Sequence, residues 1–306
     1  MSIAWLYGLL LFIHPIPESD SLSIENKGET ILTIDRQDYA IPIPNMPLID
    51  VKKYHELLDK LDKQTYIAPK NANIDPSGRV KNEEVGSRLH RRAFTDLFYT
   101  YFYNTNSSNI EVPLLPIHPR VDRDLLLHIR VKQIGRYVTF FNSNNKARSH
   151  NISLAAEAIN NHVIFPGETF SFNQVVGKRT KGRGYMRAPV IVRGEMAEDI
   201  GGGICQVSST LFNAADRAGL KILERYSHSK RVPYVPSGRD ATVSWYGPDF
   251  SFKNGYSFPL LIQAKAYGGQ MIIRIFSTDE IEYEPRFVPN ASKMLHEEVP
   301  FQKKEE

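Results

Sequence analysis

The single cysteine of the chain, Cys205, follows three consecutive glycines and opens a segment whose apolar residues recur at helical spacing. Ile204, Val207, Leu211, Ala214 and Ala218 fall on one face, and Gly219 stands where a left-handed cap ends a helix. The cysteine is therefore predicted in the first helical turn. Unpaired N–H groups and the positive end of the helix dipole favour an anion there, so a thiol loses its proton more readily. Gly201, Gly202 and Gly203 let the backbone approach a ligand closely and can aim N–H groups at an oxyanion. A nucleophilic cysteine also needs a base and an orienter for that base, normally distant in sequence. Among nine histidines the best placed is His228, 23 residues beyond Cys205, and Asp240 follows at the start of an alternating segment. These three imply acyl transfer or hydrolysis: Cys205 as nucleophile, His228 as base, Asp240 as orienter. The competing reading is a packing cysteine, since free cysteines are among the most buried residues.

A second group with chemical potential precedes the glycines. Lys178, Arg179, Lys181, Arg183, Arg187 and Arg193 lie in a window without an acidic residue. Arginine forks recognise carboxylates and phosphates, and Tyr185 is a candidate to stack on a sugar or a peptide plane. The functional reading is a binding rim for an anionic polymer or a peptide carboxylate; the plain reading is a solvated loop. Glu195, Glu198 and Asp199 fit an exposed turn or partners for the arginines better than acid–base work. The histidines show no metal-ligand spacing, and Gly182-Arg183-Gly184 is too short for a dinucleotide fingerprint. Neither a metal nor a cofactor is expected.

The elements that must position these residues read as α+β. A helix is expected over Val51–Leu61 and another over Arg91–Tyr103, with a turn at Asp75-Pro76-Ser77-Gly78. The stretch punctuated by Pro113, Pro116 and Pro119 marks a domain boundary. Beyond it come a strand near Leu126–Phe141, a helix over Asn151–Asn161, and strands at Phe170–Phe172, Val190–Val192 and Ala241–Tyr246. Pro259–Ala266 and Gln270–Phe276 form a hairpin through Gly268-Gly269. The domains are an apolar segment over 1–17, a small α+β domain over 18–121, a larger one over 122–286 with a mixed or antiparallel sheet and a few short helices, and a charged tail over 287–306.

The bulk numbers fit this. Of 306 residues, 42% are apolar and 24% charged, the balance of a chain that buries a real core. Basic residues number 38 and acidic ones 34, a net +4 that does not point to nucleic acid and supports only mild attraction to anionic surfaces. One cysteine excludes an internal disulfide and a multi-cysteine zinc site. Ile3–Ile13 is apolar and uncharged, too short to span a membrane but of the length of a signal-peptide core; membrane contact is expected through this segment alone.

Ordered blocks from Asn151 to about Ser277 resemble the VanW family. They are Pro166-Gly167-Glu168-Thr169-Phe170-Ser171-Phe172-Asn173, Val176-Gly177-Lys178-Arg179-Thr180, Gly184-Tyr185 with Ala188-Pro189-Val190, and Gly201-Gly202-Gly203-Ile204-Cys205-Gln206-Val207-Ser208-Ser209-Thr210-Leu211. Glu224-Arg225, His228-Ser229, Tyr234-Val235-Pro236, Gly238-Arg239-Asp240-Ala241-Thr242-Val243, Asp249-Phe250 and Phe252-Lys253-Asn254 continue the pattern. Residues from Tyr66 to Val121 are more weakly similar to the peptidoglycan-binding-like domain that often precedes VanW domains, through Asn71-Ala72, Gly78 and Val85-Gly86. The resemblance implies an outward-facing protein of a Gram-positive bacterial envelope, named for an association with glycopeptide-antibiotic resistance, with peptidoglycan or another anionic wall polymer as partner. It singles out Cys205, Gln206 and His228, which lie inside its blocks. Gly201, Gly202, Gly203, Gln206, Arg179, Arg183, Tyr185 and Arg239 are the candidate binding residues. The sequence leans to a wall-binding protein; the alternative is a cysteine-dependent acyl-transfer or hydrolase enzyme acting on peptidoglycan peptides.

Overall fold

A computed structural model describes residues 20–43, 46–104, 108–192 and 195–293. The apolar segment 1–17, Arg193 and the end of the charged tail lie outside the described residues. The chain divides into two units: the first holds residues up to Asn71 and Glu83–Arg120, the second Ala72–Asn82 and everything from Val121.

In the first unit, β1 (Ser21–Asn26) and β2 (Glu29–Asp35) form a hairpin. Its two turn residues, Lys27 and Gly28, both have positive φ, the geometry that matches the twist of paired strands. A short ladder joins β3 (Ala40–Ile41) to β4 (Leu48–Ile49). Helix α1 (Val51–Thr65) starts at Asp50, whose carboxylate accepts from the Lys52 and Lys53 N–H groups at 3.1 and 3.2 Å. Tyr54, Leu57, Leu58 and Leu61 form its buried stripe, as their spacing predicts. The pair β5 (Asn73–Ile74) and β6 (Val80–Lys81), flanking the expected turn, belongs to the second unit. β7 (Gly86–Leu89) leads into α2 (Arg91–Tyr103), whose Phe94, Phe98, Tyr101 and Phe102 are buried. β8 (Ser108–Glu111) runs parallel to β1, and β9 (Leu114–Ile117) pairs with β7. A parallel pair needs a long crossover, and α1 and α2 both lie within this one.

The second unit opens with α3 (Arg123–Ile129), capped by Asp122, and then β10 (Lys132–Phe140). The sequence extended the strand back to Leu126. Instead the Asp122 carboxylate takes the Leu125 N–H at 2.7 Å, and the helix it starts buries Leu126 and Ile129 with Ala72, Ile74 and Leu261. Next come α4 (Lys146–Ile159), β11 (His162–Ile164), β12 (Thr169–Ser171), α5 (Phe172–Val176), β13 (Arg187–Val192), β14 (Glu195–Ile200), α6 (Ile204–Arg217), β15 (Lys221–Glu224), β16 (Ser251–Lys253), β17 (Leu260–Tyr267) and β18 (Gln270–Ser277). The main sheet is antiparallel, in the order β10-β18-β17-β11, and β17 turns into β18 through Gly268 and Gly269, both at positive φ. Helices α4 and α6 cover it, packing Ile152, Ala155, Ile159, Val207, Leu211 and Ala214 against Ile273 and Ile275. At Gly135 a Cβ would stand 2.4 Å from the Ala214 carbonyl oxygen, so α6 lies against the β10 backbone itself. A three-stranded sheet, β12-β16-β15, and the β13–β14 hairpin complete an α+β unit. Among the described residues, no helix is long and apolar enough to cross a membrane.

Candidate active site

Helix α6 begins at Gly203, so Cys205 occupies its first turn. Gly201 and Gly203 have φ of +90° and +104°, a region that glycine alone enters readily. Gly202 meets a different constraint. A Cβ there would fall 2.5 Å from the Ala188 oxygen and 2.6 Å from the Pro189 oxygen, so the glycine run seats α6 against the β13 backbone. The Ile204 N–H donates to Gly201 O at 3.2 Å and the Gln206 N–H to Gly203 O at 3.0 Å. The Cys205 N–H lies between them in the first turn, where no residue four earlier belongs to the helix.

The Cys205 sulfur lies 3.6 Å from the Val243 carbonyl and 3.7 Å from the Thr242 hydroxyl, and the His228 ring lies within electrostatic range of it. His228 Nδ1 stands 2.7 Å from Asp240 Oδ2, and the same oxygen accepts the His228 N–H at 2.6 Å. With Nδ1 held by the carboxylate, Nε2 is the nitrogen left for the sulfur. Both side chains of the His–Asp pair are nearly buried, at 8% and 9% exposed. Burial by itself pushes the Cys205 thiol up, but the His228 ring outweighs it and the thiol is lowered. Burial also pushes His228 down, yet Asp240 and the sulfur raise it to about 9. Asp240 is lowered, because its bonds to His228 exceed the effect of burial. The three groups thus favour a thiolate–imidazolium–carboxylate chain.

The segment bearing Asp240 departs from the strand expected over Ala241–Tyr246. Its expected alternation of Ala241, Val243 and Trp245 holds for the first two, which are buried, but not for Trp245, which is 41% exposed, and its hydrogen bonds go elsewhere. Thr242 bridges to Tyr226 and the Ala241 N–H donates to the Ser209 hydroxyl at 2.9 Å. The Ser209 hydroxyl donates to Cys205 O at 2.7 Å, which ties this segment to the cysteine's own turn. Ser209 and Thr210 bond carbonyls four residues back inside α6 and do not cap it.

Other residues singled out in the sequence lie apart from the sulfur or inside the fold. Gln206 is 1% exposed; its amide donates to Thr139 Oγ1 and Phe140 O at 3.0 and 2.9 Å, and its oxygen accepts from Arg148 at 2.8 Å. Replacing it with alanine strips a buried guanidinium of one acceptor and is expected to cost about 2–3 kcal/mol in urea unfolding while leaving the thiol's pH midpoint unmoved. Tyr185 is 4% exposed and so does not reach a binding rim. Arg239 lies over the Phe212 ring and pairs with Asp216 at 2.7 Å. Arg183 rests on Gly177 and donates to Lys178 O at 3.0 Å. Arg179 has its stem on Gly201 and lies within electrostatic range of Cys205. Glu198 and Asp199 lie on β14, not in a turn. Among the described residues, no cluster of three His, Cys, Asp or Glu side chains is arranged to hold a metal.

The sequence reading missed Asn173, Asp249, Tyr234 and Tyr246 as neighbours of the site. Asn173 accepts from Arg179 at 2.7 Å, and its backbone N–H donates to Asp249 at 2.9 Å. Tyr234, whose hydroxyl is pushed up by burial, lies within electrostatic range of Cys205. Tyr246, three residues beyond Val243, is 83% exposed and receives the Lys178 ammonium. The first three lay inside the family-like blocks, but nothing in their types announced proximity to Cys205.

No solved structure matches the chain. The family model described as VanW like protein matches residues 147–276, which include all three members of the Cys–His–Asp chain. The Enterococcus faecalis (strain ATCC 700802 / V583) protein named Vancomycin B-type resistance protein VanW is 36% identical over 109 residues, 34% of this chain and 40% of that protein. The Bacillus subtilis (strain 168) protein YoaR is 54% identical over 292 residues, covering 95% of this chain and 96% of its own length. With that similarity along nearly its whole length and the family's domain around Cys205, the chain belongs to the VanW family.

Proposed function

We propose that the protein is a cysteine-dependent acyl-transfer or hydrolytic enzyme of the bacterial cell envelope, acting on peptides of the wall polymer. The observation that carries the catalytic part is the Cys205–His228–Asp240 arrangement, in which Asp240 holds the His228 ring at Nδ1 and the ring lowers the Cys205 thiol. The Cys205 thiolate attacks a peptide carbonyl, forming an S–C bond and an oxyanion. The Cys205 N–H is the first-turn amide best placed to donate to that oxyanion. His228 then gives its Nε2 proton to the leaving amine as the C–N bond breaks, leaving a thioester. Water or a second amine attacks the thioester, His228 takes a proton from it, and the C–S bond breaks. Envelope location and the wall substrate rest on the family, whose Enterococcus member carries vancomycin resistance in its name.

The test is the rate of Cys205 alkylation by iodoacetamide against pH on the folded protein. The expected midpoint lies well below the free-thiol value of about 8.5, followed by thioester formation with wall-derived peptides. Labelling only on unfolding would refute the enzyme. In that case the second reading, an anionic-wall-binding module, gains from the exposed Lys178 and Arg183. It requires that Cys205→Ala fold normally and retain binding to isolated cell walls.

A further inference from the structure

Among the described residues of the basic window, Arg179 alone is not exposed. Its Nη1 donates to Asn173 Oδ1 at 2.7 Å and lies 3.4 Å from Gly177 O. Asn173 is fixed in turn: its Nδ2 donates to Ser244 O at 2.9 Å and Pro248 O at 3.2 Å, and its N–H to Asp249. Asp249 also accepts from Ser171 at 2.5 Å and from the Phe250 N–H at 2.7 Å, so its oxygens are spent on this frame. The arginine stem packs on Gly201, where a Cβ would meet Arg179 Cβ and Cγ at 3.3 and 3.4 Å. The arginine thus lies against the glycine run that precedes Cys205, within electrostatic range of the sulfur.

Asp249 supports its charge only at a distance, without an ion pair. Among the described residues, no aspartate or glutamate forms an ion pair with Arg179, and its Nε and Nη2 donate to no protein atom. Burial lowers its affinity for a proton, and the Cys205 charge is the largest influence that restores it. That anion disappears when the sulfur becomes a thioester. The half-buried cation then keeps its Nε and Nη2 donors for a substrate, an arrangement suited to an ionised oxygen pair.

We propose that Arg179 is the specificity-determining residue of this site: it holds a free carboxylate of the substrate beside the carbonyl that Cys205 attacks. The preferred substrates are peptides with an ionised carboxylate at or next to the scissile bond. This rests on the thiol-enzyme reading above and adds the chemical class of its substrate.

Two small electrophiles test it without knowledge of the natural substrate. Iodoacetate and iodoacetamide both place an S–CH2 bond on Cys205 and release iodide, but only iodoacetate carries a carboxylate beside the reacting carbon. The ratio of their rates on the folded protein is expected to exceed that on the unfolded chain by about tenfold, the worth of one charge-assisted hydrogen bond. Arg179→Gln should abolish the excess. Arg183→Gln, whose guanidinium is engaged on Lys178 O, should keep it. A wild-type ratio in Arg179→Gln, or an equal fall in Arg183→Gln, overturns the proposal, the second by showing a diffuse positive field. If Arg179→Gln does not fold, Arg179→Lys carries the test. It keeps the charge and loses the fork, so a fallen ratio with an unchanged iodoacetamide rate supports the proposal and an unchanged ratio overturns it. Failure of the thiol-enzyme reading is seen separately, as absence of low-pH iodoacetamide labelling on the wild type, and removes this proposal with it.

Discussion

Replacing Asp240 with asparagine is expected to slow thioester formation by about 10^4-fold, the loss seen when the acid behind a catalytic histidine is neutralised. The carboxylate does two things here. It accepts both the N–H and the ring Nδ1–H of His228, which fixes the ring, and it contributes to raising His228 to about 9. Without the negative charge the imidazole falls back toward the ordinary histidine value near 6.5, so at neutral pH the sulfur loses its cationic partner. The thiol should then titrate at a higher pH. Sign by sign, the wild-type pH–rate profile rises on its acid side as the lowered thiol ionises. It falls on its alkaline side near pH 9, where the imidazolium loses the proton the leaving amine needs. These limbs belong to the coupled pair and not to either residue alone. In Asp240→Asn the alkaline limb should move down and the alkylation midpoint up. His228→Ala should remove the alkaline limb altogether. An unchanged alkylation midpoint in both variants would mean that the histidine does not govern the sulfur.

The second large effect concerns stability. Gly202→Ala is expected to destabilise the protein by about 3 kcal/mol or more, measured as a lowered urea midpoint with an unchanged slope. The added methyl would stand 2.5 to 2.6 Å from three backbone atoms, the oxygen and carbon of Ala188 and the oxygen of Pro189. Backbone in a paired strand cannot step aside as a flexible side-chain end can, and the Gly202 carbonyl is itself held by Asn151 Nδ2 at 3.0 Å. Any relief must therefore move α6 away from β13 and carry Cys205 with it. If the variant folds at reduced stability, its alkylation midpoint should rise toward the free-thiol value, because the sulfur would move away from the His228 ring that lowers it. A variant of wild-type stability would show that the α6 start can shift freely.

The sequence by itself determined what depends on neighbours along the chain. The helix holding Cys205 in its first turn, the Gly219 cap, the stripe of α1, the whole of α2 and the Gly268-Gly269 hairpin all follow from local spacing and from backbone conformations open mainly to glycine. The three residues of the proposed thiol triad could be named from the sequence, because the choice of base was narrowed by the helix on one side and the Asp240 segment on the other. Only the tertiary structure decided which residues meet. Gln206 follows Cys205 directly, yet at 100° per residue it points to the Arg148 and Thr139 side of α6 and is consumed there. Tyr185 and Arg239, polar by type, are taken into packing and an internal ion pair, since composition does not say which face a loop residue turns inward. The Ala241–Tyr246 alternation mimicked a strand because one of its faces is buried, but a strand needs partners for its backbone and these went to Tyr226 and Ser209. Arg179 differs from Arg183 in nothing that spacing could reveal. It is distinguished by Asn173 and Asp249, which approach it from other parts of the fold, and by Gly201, whose missing side chain leaves room for its stem.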